Sequence, residues 1–271
     1  MDIKTIFSIV GFPADVEHDL TELDLNFDVK PYVDLLNELT DVETSVRAFE
    51  QLRGSLPEDE KNYKMLLCQL YAMQFVYEKY QNKGISDIIF KNSFQCFSRY
   101  LSETKVIQER WLFDRDWWTI RFLNMTIFRI GELEYEYRNE NGLKLISIHI
   151  PSGADLSHTA IGESLAQAKE FTNQFFPDYV GCDYICKSWL MSVKLRELLA
   201  ENSKILDFQR RFHIVMQMPQ ESSSIQFLFQ MPYSTPVEQL REDTSLQRRA
   251  KKVLQSGGTI GAGYGVLMDF S

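Results

Sequence analysis

The chain has 271 residues, 44% of them hydrophobic and 25% charged, enough for one large domain or two ordinary ones with a substantial core. Its net charge of −9 is carried by residues 1–50, where twelve Asp/Glu meet three Lys/Arg, leaving 26 of each sign in the remainder. Such a balance lacks the basic footprint that a nucleic acid or an anionic membrane surface needs in a partner, so neither is expected.

In chain order, Thr5–Val10 is an apolar run too short for a membrane span and without a small-residue cleavage pattern, and no other run approaches the roughly twenty residues a span requires. A cytoplasmic protein is expected. The four cysteines, with no CxxC pair, make neither a disulfide framework nor a zinc site, and no metal is expected. Residues 1–27, with Gly11 and Pro13, read as a segment wrapped around a helical bundle. From Val29 to about Lys105 the apolar positions recur at three- and four-residue spacing, first at Val33, Leu35, Leu36 and Leu39, then at Val42, Val46 and Phe49. Acids at Glu58-Asp59-Glu60 suit the first turn of a long helix whose apolar residues, Leu66 to Tyr80, lie on more than one side and demand several neighbours. Ile85–Leu101 repeats the helical pattern. A small helical bundle is the expected architecture. The texture changes at Trp111, Trp117 and Trp118, which place a domain junction between residues 115 and 116; the cluster suits either packing between domains or stacking on a ligand.

The second part reads as mixed α/β. Phe128–Arg138 and Leu143–Ile150 flank Asn139-Glu140-Asn141-Gly142, whose Asn-Gly pair predicts a hairpin turn. Two-residue periodicity puts Glu132, Glu134 and Glu136 on one face of the first strand, read as an outer face. A helix over Ser157–Phe176, a strand at Tyr184–Met191, a helix at Val193–Glu201 and strands at Phe212–Met218 and Ile225–Met231 complete a ββαβαββ order. A further helix begins after Thr244 or Ser245. The glycine-rich stretch Gly257–Gly265 predicts a turn and strand rather than a phosphate cradle. The fold class is α+β, a helical domain over 1–115 and a mixed α/β domain over 116–271.

The ββαβαββ order resembles the core of GNAT-type N-acetyltransferases. The phrases Phe128–Glu136, Ile148–Ser157 and Asp243–Arg249 are similar to those of a bacterial acyltransferase family with a helical N-terminal domain and a GNAT-like C-terminal domain. The resemblance implies acetyl-CoA or another acyl-CoA as donor, held where the fourth core strand (Leu143–Ile150) splays from the fifth (Tyr184–Met191). It further implies direct attack by a small-molecule or peptide amine. One departure stands out. Where such enzymes carry an Arg/Gln-x-x-Gly-x-Gly/Ala loop, this chain reads Pro151-Ser152-Gly153-Ala154-Asp155, with one glycine, no cation and an acid.

Within that frame His149, near the end of the fourth strand, is the candidate base, the alternative being a core histidine bonded to backbone. Glu134 faces either the acceptor cleft or solvent. Tyr264, on the last strand, is the candidate acid, because Val193–Glu201 carries no Tyr. The amides of Ser152, Gly153 and Ala154 are the candidate donor contacts. Arg248 and Arg249, with Lys251 and Lys252, either meet CoA phosphates or merely suit a helix C-terminus. Ser152 and Ser188 lack a nucleophile elbow. Two functions are compatible with these residues, an acyl-CoA-dependent N-acyltransferase and a non-catalytic binding or regulatory module with a degenerate donor site.

Overall fold

Asp2 opens the first helix by accepting the Thr5 amide at 2.7 Å. In this computed structural model, which describes residues 1–268, the chain divides into a unit ending at Arg129 and a second beginning at Ile130. The division falls one helix beyond the tryptophan cluster where the change in texture placed it.

The first unit is helical: α1 (Ile3–Val10), α2 (Ala14–Asn26), α3 (Val33–Glu38), α4 (Ser45–Ser55), α5 (Tyr63–Lys83), α6 (Asp87–Phe94), α7 (Cys96–Gln108) and α8 (Asp116–Leu123). Residues 1–27 are thus two helices of the bundle. Helix α5 is the axle, burying Leu66, Leu67, Leu70, Met73, Val76 and Tyr80 among α1, α2, α3, α6 and α8, as its broad apolar surface requires. It starts at Tyr63, after the acids. Asp59 instead braces the approach, accepting the amides of Lys61 at 3.0 Å and Lys64 at 2.7 Å. The expected helix over Ile85–Leu101 is broken at Gln95 into α6 and α7, which lets Phe90, Phe94 and Phe97 form an aromatic row with Tyr80.

Asp116 ties this unit together. Its buried carboxylate accepts from Arg53 (3.0 Å) and Asn62 (3.0 Å), while its carbonyl accepts from Gln69 (2.9 Å), so α4, α5 and α8 share one polar clasp. Arg53 is half-exposed, which screens the ion pair, but the half-buried Asn62 amide would lose its carboxylate acceptor while Gln69 keeps the backbone carbonyl. Asp116→Ala is therefore expected to cost about 2 kcal/mol, read as a lowered urea midpoint of the Trp117 and Trp118 fluorescence transition.

The second unit is built on a sheet whose strands are β1 (Ile127–Ile130, at the boundary), β2 (Leu133–Glu140), β3 (Leu143–His149), β4 (Tyr184–Ser188), β5 (Phe212–Met218) and β6 (Ala262–Leu267), in the order β1-β2-β3-β4-β6-β5. Asn141 and Gly142 both take positive φ, 54° and 93°, the geometry of a two-residue hairpin turn matched to strand twist. That turn sets Glu140 against Leu143 and hence Glu134 against His149. The single strand expected over Phe128–Arg138 is interrupted by the turn at Gly131-Glu132. One face of the sheet is covered by α9 (His158–Phe175), whose Ser164 and Thr172 bond the buried hydroxyls of Tyr135 (2.9 Å), Tyr137 (2.8 Å) and Tyr184 (3.0 Å). Burial drives all three phenols to raised pKa values, which keeps them neutral.

Beyond β4 the chain departs further from the expected order. The strand ends at Ser188, whose hydroxyl accepts the Leu190 amide at 3.1 Å and turns the chain into a short 3-10 segment. The helix expected over Val193–Glu201 is shortened to α10 (Leu195–Leu198), an unexpected helix α11 (Lys204–Arg210) follows it, and residues 225–231, read as a strand, lie mostly in helix α12 (Ser223–Phe229). Phe229 there joins Leu190, Leu195, Leu198, Leu206 and Leu240 in a separate apolar cluster, which a strand added to the sheet would have left uncovered. Helix α13 (Ser245–Gln255) begins with a capping box between Thr244 and Gln247. β6 runs antiparallel to both neighbours and enters between β4 and β5, so the glycine-rich stretch is a turn and strand.

Candidate functional site

Two features meet at the carboxyl end of β3. The first is a split in the sheet. β3 and β4 are parallel but pair only at Ile146/Tyr184 and Ser147/Ile185, although β3 continues to His149 and β4 to Ser188. Past that point the facing backbone groups of the two strands are not matched to each other.

The second feature is a polar group on the sheet face away from α9. His149 Nε2 lies 2.9 Å from Oε2 of Glu136, diagonally across β2 and β3. An ionised carboxylate only accepts, so in this contact the hydrogen is carried by Nε2. Glu134 stands directly opposite His149 and on the same face. Glu134 and Glu136 are 3% and 8% exposed, which corrects the reading of these strand carboxylates as a solvated outer face. Glu132 is displaced from them by the turn, and its Oε2 accepts the Asp155 amide at 2.9 Å.

Sequence reasoning names His149 and Glu134 and misses Glu136. The signal is present, because a two-residue turn at Asn141-Gly142 fixes the pairing, and counting outward from Glu140/Leu143 brings Glu136 within diagonal reach of His149. Tyr264 lies on the same face, opposite Lys187 on β4. Its pKa is raised, first by desolvation and then by Glu140, with Arg138 opposing. Arg138 and Glu140 sit at the hairpin end of β2, away from His149.

The turn between β3 and α9 carries Ser152, Gly153 and Ala154, the first two exposed. Several of its amides have acceptors within the chain. Ala154 N donates to the Pro151 carbonyl at 3.2 Å, Asp155 N to Glu132, and Ser157 N to Asp155 Oδ1 at 3.0 Å. Asp155 also accepts from Lys204 Nζ at 2.7 Å; that contact, with the Ser157 hydroxyl, pulls its pKa down to about 2. The loop therefore carries an anion of its own where a CoA pyrophosphate would approach.

Arg248 and Arg249 fall in the first half of α13 rather than at its end, and both are engaged with backbone. Arg248 donates to the Glu242 carbonyl at 2.7 Å and Arg249 to that of Leu198 at 2.8 Å. Lys251, nearly buried, donates to the carbonyls of Glu238 and Leu240, each at 2.9 Å. Among the described residues no group of three His, Cys, Asp or Glu is placed to hold a metal ion, and no helix is long and apolar enough to cross a membrane.

The fold is shared with solved acyltransferases. An acyltransferase in complex with decanoyl-CoA and teicoplanin is 20% identical with a TM-score of 0.69, over 98% of this chain and 99% of that one. One in complex with CoA and 10C-teicoplanin is 21% identical (TM-score 0.68), and one in complex with decanoyl-CoA is 16% identical (TM-score 0.71), with the same coverage. No curated protein matches the chain in sequence. Residues 1–125 match the model of the N-acyltransferase N-terminal domain, and residues 127–267, more than half of the chain, match that of the GNAT-like C-terminal domain. Helical unit, split sheet and both matches run in one order along the chain, which thus belongs to an acyltransferase family joining an N-acyltransferase N-terminal domain to a GNAT-like C-terminal domain.

Proposed function

We propose that the protein transfers an acyl group from acyl-CoA to a small-molecule amine by direct attack on the thioester. The observation that carries this reading is the opening between β3 and β4 with the His149–Glu136 pair at its edge. Unmatched strand amides suit the amide-bearing pantetheine arm of CoA, which can add to a strand as a peptide does. In this reading His149 Nδ1 takes the proton of the attacking amine, Glu136 holds the imidazole in its tautomer, and Glu134 lines the approach of the acceptor. Tyr264 borders the same face. Ser152, Gly153 and Ala154 flank the donor, with Arg248 and Arg249 as more distant phosphate contacts. The acyltransferases of like fold, with decanoyl-CoA and teicoplanin bound, support an acyl-CoA donor and a small-molecule acceptor.

Calorimetric titration with CoA, acetyl-CoA and decanoyl-CoA tests the reading. Binding is expected, with a stabilisation of about 2.7 kcal/mol when free ligand reaches a hundred times its Kd. A second reading is favoured by the Asp155–Lys204 contact and the occupied amides of the β3–α9 turn, namely a binding module that has lost its donor site. The absence of heat and of thermal stabilisation with all three ligands would select it.

A further inference from the structure

We infer that Lys187 is the group that meets the departing CoA thiolate, an assignment that rests on the acyl-CoA reading of the site. Residues paired across a sheet share a face, and alternate residues along a strand return to it. Ser147 and Ile185 are the last matched pair between β3 and β4. The next side chains on their face are His149 on one strand and Lys187 on the other. They are the first groups past the point where the strands part, one on each lip of the opening.

The Lys187 side chain is exposed and makes no hydrogen bond or ion pair among the described residues, so its ammonium is not committed to the fold. Around it on this face stand His149, Glu136 and Glu134 toward β3 and β2, and Tyr264 toward β6. Tyr264 carries a raised pKa and is a neutral hydroxyl at ordinary pH. An ammonium on a flexible four-carbon stem supplies both charge and proton, which a leaving thiolate requires.

The amine lone pair forms the C–N bond at the thioester carbonyl, and the amine proton passes to His149. Collapse of the tetrahedral adduct breaks the C–S bond, and sulfur departs with the bonding pair. It takes a proton from Lys187. Solvent then restores the proton to Lys187 and removes the one held by His149.

CoA itself is the probe. The ionisation of its thiol in the protein complex, monitored by ultraviolet thiolate absorbance against pH, reads the charge beside the sulfur. The ionisation constant is expected to be about tenfold higher in the unaltered protein than in Lys187→Met, the size of effect a nearby opposite charge produces. Lys187→Arg keeps the charge and should keep the shift. Lys83→Met, exposed on α5, should leave it unchanged. Equal ionisation in the unaltered protein and Lys187→Met overturns the assignment while leaving the acyl-CoA reading in place, and so does loss of CoA binding in Lys187→Met alone. Failure of the unaltered protein to bind CoA removes both.

Discussion

His149→Ala is expected to lower kcat for acyl transfer about 10²-fold or more, the contribution of a positioned general base, with CoA affinity nearly unchanged. The measurement is thiol release from an acyl-CoA in the presence of a primary amine, beside a CoA titration of the same variant. The imidazole is partly exposed at the end of β3, so its loss should leave no large cavity and the unfolding midpoint should move little. If CoA affinity and stability fall as steeply as turnover, His149 is a core residue and not a base. Glu136 gives a graded companion result. Glu136→Gln retains an acceptor for Nε2–H and should lose less activity than Glu136→Ala, which leaves the imidazole without that orienting bond. The reverse ranking would show that Glu136 does not act through His149.

Gly263→Ala is the substitution expected to cost the fold most. A Cβ at this position would lie 2.3 Å from the Met191 carbonyl oxygen and 2.6 Å from Gln217 Nε2. The first obstacle is backbone, held in the 3-10 turn after β4, and cannot swing aside as a flexible side chain can. Either that turn or β6 must move. A loss of about 3 kcal/mol is expected, read as a lower urea midpoint, together with weaker CoA binding because Gly263 pairs with Ser188 beside the opening. A midpoint within about 0.5 kcal/mol of the unaltered protein would mean that β6 is less tightly seated than its neighbours imply.

Parts of the fold are legible in the sequence for identifiable reasons. The β2–β3 hairpin is dictated by Asn141-Gly142, and the start of α13 by Thr244 with Gln247 three residues on. The apolar run at 225–231 is ambiguous because a short run cannot by itself distinguish a buried strand from a buried helix. Its helical state is set by the cluster into which Phe229 packs, assembled from residues as far apart as Leu190 and Ile260. The carboxylates of β2 mislead for a different reason. Periodicity assigns Glu134 and Glu136 correctly to one face, but whether a face is buried is a property of tertiary structure, and local sequence is silent on it. Lys187 has no distinguishing signal in its neighbours. Its place at the lip emerges only once the last matched pair of β3 and β4 is known.

The order in which the strands leave the ribosome differs from the order in which they lie in the sheet. β4 is complete at residue 188, yet its second edge is paired by residues 263–266 of β6, after four more helices and β5 have been made. Synthesis at about 5–20 residues per second leaves that edge open for several seconds. During this interval the opening has only one fixed lip, the β3 side that carries His149, because Lys187 acquires its partner Tyr264 last. Until then the nascent chain presents the unpaired edge of β4, a template for edge-to-edge association. Competence to bind a donor should then appear abruptly with β6, rather than accumulate as the second unit grows.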